Sequence, residues 1–301
     1  MMKHKSVLLS EVINYLNVKS NGVYIDATLG YAGHSGEVLK KLNKKGFLFA
    51  FDQDIEAIEY SNKKLSSIAD NYKIIKSNFS NMKENINEKV DGIMFDLGVS
   101  SPQLDDDIRG FSFHKNARLD MRMDKENKLD AWTVVNEYDI EKLIEIFYKY
   151  GEEKYSKSIA KSIVSNRPIN TTLELSEVIK NSVPISYRNM THPSRKVFQA
   201  IRIEVNNELG ILQESLLDAF ELLKVGGRLS VITFHSLEDK IVAKVFKELC
   251  SDDNNSKKLP IVPEEMKAKA KKIIKLTPSG EEIKENNRSR SAKLRVIERT
   301  R

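Results

Sequence analysis

VDGIMFDLGVSSPQLDDD, residues 90–107, changes character halfway along. Its first half is apolar, is bounded by polar residues and ends in the carboxylate of Asp96, which predicts a buried parallel strand. Its second half is a polar loop, because Pro102 lacks the N–H that a strand ladder needs. A strand that ends in Asp and spills into Ser, Pro and Gln marks the edge where an open α/β sheet holds its ligands. A plain solvated connection is the rival reading of the same stretch.

The chain upstream repeats the strand-then-helix alternation. Ser6–Leu16 has apolar positions at helical spacing, and Gly22–Leu29 reads as a strand running into the glycine-rich turn GYAGHSG and a helix. Gly46–Phe51 is a second strand that ends at Asp52. Asp54 then stands where an N-cap belongs, ahead of an amphipathic helix. Tyr72–Lys76 is a third strand, and it leads through Asn78 and Phe79 to the opening stretch as a fourth. Four strands alternating with helices predict a parallel, doubly wound α/β sheet of the Rossmann-like type.

Downstream the pattern breaks. From Ile108 to Val205 there is no convincing strand, and five segments carry helical periodicity: 131–138, 140–151, 155–167, 172–183 and 195–205. Such a block predicts an inserted all-helical subdomain over 108–205, leaving 1–107 and 206–301 as one discontinuous domain. The alternation resumes with a helix that Gly226–Gly227 should stop, a fifth strand over RLSVITF, and a helix over Leu237–Leu249. Ser251–Ala270 reads as a polar loop. Ile273–Leu276 and Leu294–Ile297 read as an antiparallel pair closing one sheet edge.

Two features carry chemistry. Gly30, Gly33 and Gly36 lie between a strand and a helix, and Asp52 follows about 20 residues later, placed to accept from both hydroxyls of a ribose. Ala32 stands where a pyrophosphate would need backbone to come close, so the spacing favours a nucleoside cofactor without phosphates, S-adenosyl-L-methionine over NAD. His34 is a ligand contact or a helix cap. In FHSLED, His235 is a substrate contact or part of a turn capped by Ser236 and Asp239. Two basic runs, RLDMRM at 118–123 and NNRSRSAKLRVIERTR at 286–301, suit phosphates, a solvated basic surface being the alternative. The candidate substrate contacts are therefore Ser100, Ser101, Arg109, Arg118, Arg122, Arg195, His235, Arg288 and Arg290.

Composition narrows the classes. A 40% hydrophobic and 31% charged chain describes a soluble globular protein, and no apolar run approaches the roughly 20 residues of a membrane span. The single cysteine, Cys250, permits no internal disulfide and fits a reducing, cytoplasmic setting. It also excludes thiolate metal sites. No His or Cys residues share ligand spacing, so no metal is expected; loop solvation accounts for Asp105–Asp107. A net charge of +6 weakly favours a polyanionic partner and no membrane.

HKSVLLSEV, DATLGYAGHS, DGIMFDLGVSSPQLDDDIRGFSF, LDMRMD, HPSRKVFQAIRIEVNNEL, GGRLSVITFHSLEDKIV and NNRSRSAKLRVIER, in unbroken order from His4 to Arg299, together resemble the bacterial RsmH (MraW) family. The resemblance implies an S-adenosyl-L-methionine-dependent methyltransferase that modifies the exocyclic amine (N4) of a cytosine in 16S ribosomal RNA, with the helical insertion helping to recognise the RNA. It implies an assembled small subunit over naked RNA as substrate. It maps cofactor contacts onto Ala32, Gly33, His34, Asp52, Phe79, Asp96 and Gln103. Asp96 is placed on the cytosine amine, as the catalytic residue, or on the cofactor. Phe111, Phe113 and Phe234 are candidates to stack on the extruded base. Two residues depart from the family pattern in the glycine loop, Tyr31 and Ala32, where glycine is usual, and Arg118 stands where Pro is usual.

Three rivals remain open at this level: a methyltransferase of the same fold acting on another nucleic acid, an NAD-dependent oxidoreductase, and a non-catalytic RNA-binding module. The oligomeric state, a homodimer included, is equally open.

Overall fold

The computed structural model describes residues 6–100, 106, 108–253 and 263–301, and these form two compact units. One comprises the chain up to Gly98 together with Leu209–Arg301; the other is Val99–Glu208. The boundaries therefore fall at 98/99 and 208/209, where the sequence pattern placed them at 107/108 and 205/206. The later exit has a local cause: Asn206 is held by Met121 O and the Met123 N–H, which keeps the end of its helix within the helical unit.

In the first unit the elements run α1 (Leu9–Leu16), β1 (Val23–Asp26), α2 (Gly33–Lys41), β2 (Phe47–Asp52), α3 (Ile55–Ser66), β3 (Tyr72–Lys76), α4 (Met82–Asn85) and β4 (Val90–Asp96). The seven-stranded sheet, completed by β5 (Leu223–Thr233), β6 (Ala270–Leu276) and β7 (Lys293–Arg299), has the order β3-β2-β1-β4-β5-β7-β6. The pairs among β1–β5 are parallel, and β7 runs antiparallel to both its neighbours. The expected doubly wound sheet and its closing antiparallel edge pair are both present. The strand order reverses between β1 and β4, the switch point at whose carboxyl edge such sheets bind ligands.

Side-chain parity does the positioning. Ile25, Phe51, Ile93 and Phe95 face one core, shared with the helices that follow the insertion, whereas Tyr24, Leu48, Ala50 and Met94 face the core under α1, α2 and α3. Side chains alternate along a strand, so Asp26, Asp52 and Asp96 end three adjacent strands on the same side as Tyr24, Ala50 and Met94. Gly92 makes room there: a Cβ would sit 2.9 Å from both Leu16 Cδ1 and the Tyr24 ring.

The helical unit contains α5 (Ala131–Glu137), α6 (Ile140–Lys149), α7 (Ser156–Ser165), α8 (Thr172–Asn181), α9 (Ile185–Met190) and α10 (Ser194–Asn206) around their own apolar core. Among its described residues the β-pairing is one isolated bridge, Arg118 with Thr171. The short α9 has no counterpart in the sequence reading, because Pro184 reads as a break there but stands at the helix N-cap. The buried Glu153 holds the unit's interior polar contacts, accepting from the Tyr187 hydroxyl at 2.7 Å and the Tyr155 N–H at 2.8 Å.

The remainder of the first unit is α11 (Leu212–Leu222), β5 (Leu223–Thr233), α12 (Ser236–Leu249), β6 (Ala270–Leu276), α13 (Gly280–Glu285) and β7 (Lys293–Arg299). One expectation is corrected here. Gly226 and Gly227 do not stop the helix; it ends at Leu222, and the glycines lie inside β5. The register jumps from Val90↔Leu223 to Gly92↔Arg228, and Gly226 takes φ +80, so the pair forms a bulge. Residues 254–262 of the expected polar loop lie outside the described residues, and Glu264–Met266 is a short 3-10 turn.

Candidate active site at the carboxyl ends of the strands

The glycine loop links β1 to α2 through two left-handed residues, Gly30 (φ +48) and Ala32 (φ +53). It is tied down on both sides. The Gly30 N–H donates to Asp52 Oδ2 at 2.8 Å, the Ser61 hydroxyl donates to Gly30 O at 2.7 Å, and the Lys64 ammonium donates to Tyr31 O at 3.0 Å. The Tyr31 ring packs on Tyr60, their centroids 4.9 Å apart. These contacts hold the loop in place at Gly30 and Tyr31.

Ala32 pays a conformational penalty that glycine would avoid. Its left-handed backbone costs about 1–2 kcal/mol, while its fully buried methyl contributes about 0.8 kcal/mol of packing. Ala32→Gly is therefore expected to leave stability within about 1 kcal/mol of the parent, and Ala32→Val to lower it by about 2 kcal/mol or more. Urea denaturation of both variants checks this.

The three strand-end carboxylates are not equivalent. Asp26 is buried and accepts one hydrogen bond on each oxygen: Oδ1 from the Thr28 N–H at 3.1 Å and Oδ2 from the Ser35 hydroxyl at 2.6 Å. Asp52 accepts the Gly30 and Asp54 N–H groups, one on each oxygen, leaving further lone pairs for a ligand. Burial pushes the pKa of each up to about 6. Asp96 differs. Its Oδ1 is sealed from solvent without a hydrogen-bond partner among the described residues, although 30% of the side chain stays accessible. Burial, followed by the neighbouring charges of Asp26 and Glu238, pushes its pKa up to about 8.

His34 sits opposite. It does not cap α2, whose N-cap is Ala32 with no side-chain bond; its Nε2 lies 3.1 Å from Val7 O and its Nδ1 3.6 Å from Asp96 Oδ2. Burial lowers its pKa to about 4, so the imidazole is neutral and the contact with Asp96 is not an ion pair. With Nε2 donating to Val7 O, Nδ1 presents a lone pair toward the carboxyl group.

The structure thus brings Ala32, Gly33, His34, Asp52 and Asp96 to one edge of the sheet. Phe79 follows β3 but turns its ring edge-on to Phe95, centroids 5.5 Å apart, against the core of the opposite face. Gln103 and Ser101 lie outside the described residues, and Ser100 is half-buried in the helical unit. His235 corrects the capping expectation: it is itself the N-cap of α12, in a capping box with Glu238, and Ser236 and Asp239 are not the capping groups.

Several expected phosphate contacts are otherwise engaged. Arg109 is buried, donating to the carbonyls of Arg122 and Met123. Arg122 is paired with Asp120, and Arg118 with Asp130 at 2.5 Å. Lys293 and Arg295 both bind Asp239, and Arg299 donates to three carbonyls at the end of α11 and the start of β5. Arg195, Arg288 and Arg290 are exposed. Sequence reasoning missed Asp26, Thr28, whose Oγ1 accepts from the Asp96 N–H at 2.6 Å, and Glu238. Asp26 was findable by the rule that found Asp52, since both end a strand; Glu238 was findable from its spacing of three from His235.

A Rossmann-like sheet ordered 3-2-1-4-5-7-6 with an antiparallel β7 carries acids at the ends of β1, β2 and β4, and the family that the sequence matches makes this the domain of an S-adenosyl-L-methionine-dependent methyltransferase. The sequence matches the MraW methylase family over residues 1–300. A curated relative from Mycoplasmopsis agalactiae (strain NCTC 10123 / CIP 59.7 / PG2), named Ribosomal RNA small subunit methyltransferase H, is 52% identical over 301 residues, covering 98% of each chain. Similar solved structures include an rRNA methylase from Streptococcus thermophilus (13% identity, 100% of this chain and 99% of that one, TM-score 0.44). TrmN from Thermus thermophilus is another (9% identity, 97% and 48%, TM-score 0.46). The chain belongs to the MraW methylase family.

The residues present fit the cofactor of that class. Asp52 offers acceptors to a ribose on both carboxylate oxygens. Asp96 offers an acid that accepts no hydrogen bond among the described residues. Among the described residues no helix is long and apolar enough to cross a membrane.

Proposed function

We propose that this chain methylates the exocyclic amino nitrogen (N4) of a cytosine in 16S ribosomal RNA, acting in the cytoplasm on an assembled small subunit. Membership of the MraW methylase family and the name of the 52% identical relative support the substrate class. The observation that carries the chemistry is Asp96: of the three strand-end acids it alone accepts no hydrogen bond among the described residues.

When bound, S-adenosyl-L-methionine supplies an electrophilic methyl group on a cationic sulfur. Asp52 holds the ribose hydroxyls, and the Gly30–His34 loop, pinned by Ser61 and Lys64, forms the wall beside it. A cytosine amine is a poor nucleophile because its lone pair is delocalised into the ring. Asp96 accepts one amine N–H, which favours a pyramidal nitrogen, aims its lone pair and stabilises positive charge as it develops there. The carboxylate then takes the proton that the nitrogen sheds. Neutral His34 keeps a competing positive charge away from Asp96. The helical unit, Val99–Glu208, recognises the RNA around an extruded base, whose unstacking costs about a few kcal/mol.

Methyl transfer from labelled cofactor, run in parallel on purified small subunits and on naked ribosomal RNA, tests this. Nucleoside analysis is expected to give N4-methylcytidine, with subunits the better substrate. Label in any other nucleoside, or none, sinks the assignment; equal rates on naked RNA sink the assembled-subunit part.

A further inference from the structure

Four rings gather on the helical unit from two sequence blocks that the mechanism leaves unused, RGFSFH and HPSRKVF. Phe198 is buried in α10 and meets Phe113 edge-on, centroids 5.5 Å apart at 75°. Phe113 in turn lies nearly parallel to His192, centroids 4.6 Å apart at 26°. His114 closes the group, 4.3 Å from Phe113 and 5.7 Å from His192. Exposure rises along the series: Phe198 is buried, Phe113 half-buried, and His192 and His114 exposed. The core therefore holds Phe113, and Phe113 holds an imidazole at the surface.

The surroundings are cationic. Burial, then the charges of His114, Lys180 and Arg195, hold His192 below the usual histidine range, so its ring is neutral at physiological pH. Arg195 is exposed, and Lys180 Nζ lies 3.9 Å from Glu177 Oε2. A neutral flat ring backed by another ring, with cations nearby, is the arrangement that single-stranded nucleic acid uses: bases stack on the ring, and phosphates meet the cations. A solvated loop histidine needs no such backing.

We infer that His192, supported by Phe113, is a stacking platform for an unpaired nucleobase of the substrate RNA, with Arg195 and Lys180 meeting the adjoining phosphate. This rests on the reading of the chain as an RNA methyltransferase and adds the surface that selects unpaired over duplex RNA. Because Phe113 already orders the ring, little side-chain freedom is lost on stacking.

Fluorescence anisotropy on the full chain, with a labelled single-stranded oligoribonucleotide and a duplex of equal length, tests it. His192→Ala is expected to weaken single-strand binding by about tenfold and leave duplex binding unchanged; His192→Phe is expected to restore it. Parental affinity in His192→Ala, or equal weakness in the Phe variant, overturns the platform. Should His192→Ala melt below the assay temperature, Arg195→Gln decides: a salt slope shallower by about one supports the site, and an unchanged slope overturns it. The outcomes separate from those of the functional proposal. Methylation of the cytosine amine by the parent with unaltered binding in the variants removes the platform alone, and loss of binding in the variants without methylation by the parent removes the functional reading alone.

Discussion

Asp96→Asn is expected to lower kcat by about 10²–10³-fold while making the cofactor-free protein more stable. The two effects share a cause. Burial and the charges of Asp26 and Glu238 push the folded-state pKa of Asp96 up to about 8, against roughly 3.9 in an unfolded chain. A raised pKa means that the folded chain holds this proton more tightly than the unfolded chain does. The resulting stability is complete below the unfolded value and is lost as pH rises through about 8. The wild-type enzyme thus keeps at the end of β4 an acid that ionises only as pH rises through about 8, at a cost in stability. Asparagine retains the shape and never carries the charge. The melting-temperature gain of the variant is expected to vanish below about pH 4, to grow as pH rises and to level off above about 8. Water reaching the accessible 30% of the side chain tempers the size of this gain but not its sign. Because the acceptor must be ionised, kcat/KM of the parent should rise with pH and flatten above about 8. A variant with near-parental turnover, or with a stability difference that ignores pH, would remove Asp96 from the chemistry.

What could be read in advance follows from range. The strand ends were legible because apolar runs closing on Asp52 and Asp96 are local signals, and parity then fixes which face the acids share. The antiparallel pair at 273–276 and 294–297 was legible for the same reason, as two short apolar runs. Gly226–Gly227 was misread because a glycine pair signals a break without saying whether it ends a helix or bulges a strand; only the pairing of β5 with β4 distinguishes them. Which arginines the fold engages internally was not legible, for a physical reason too. Nothing local tells Arg290, exposed in a turn, from Arg295, whose guanidinium grips Asp239 56 positions away, or Arg109, folded under its own loop. Basic runs report charge, and the fold decides which cations are spent internally. The ring cluster lay in the same blind spot, since Phe113 and His192 meet only when the helical unit closes.

Asp52→Asn should leave a different kinetic signature from Asp96→Asn, and the contrast discriminates between their roles. Asp52 ends β2 with one backbone N–H on each oxygen, from Gly30 and from Asp54. The amide group must turn an NH₂ toward one of those donors, so the variant loses a ribose acceptor and loosens the turn that carries Gly30 and Ala32. Hydrogen bonds to a charged group are worth about 1.5–3 kcal/mol each. Losing one or two, partly offset by water, predicts an affinity for S-adenosyl-L-methionine lower by about 10²-fold. On the proposed reading Asp52 touches the ribose and not the reacting nitrogen, so kcat at saturating cofactor should stay within about threefold of the parent. Its pKa, pushed up to about 6 by burial, adds a pH test. Cofactor affinity of the parent should fall as pH drops through about 6, as the carboxylate gains its proton, and the Asn variant should show no such step. Calorimetry across that range, paired with steady-state rates, reads both quantities. If Asp52→Asn binds cofactor normally but turns over slowly, the roles of the two carboxylates are exchanged, and the amine is held from β2 instead of β4.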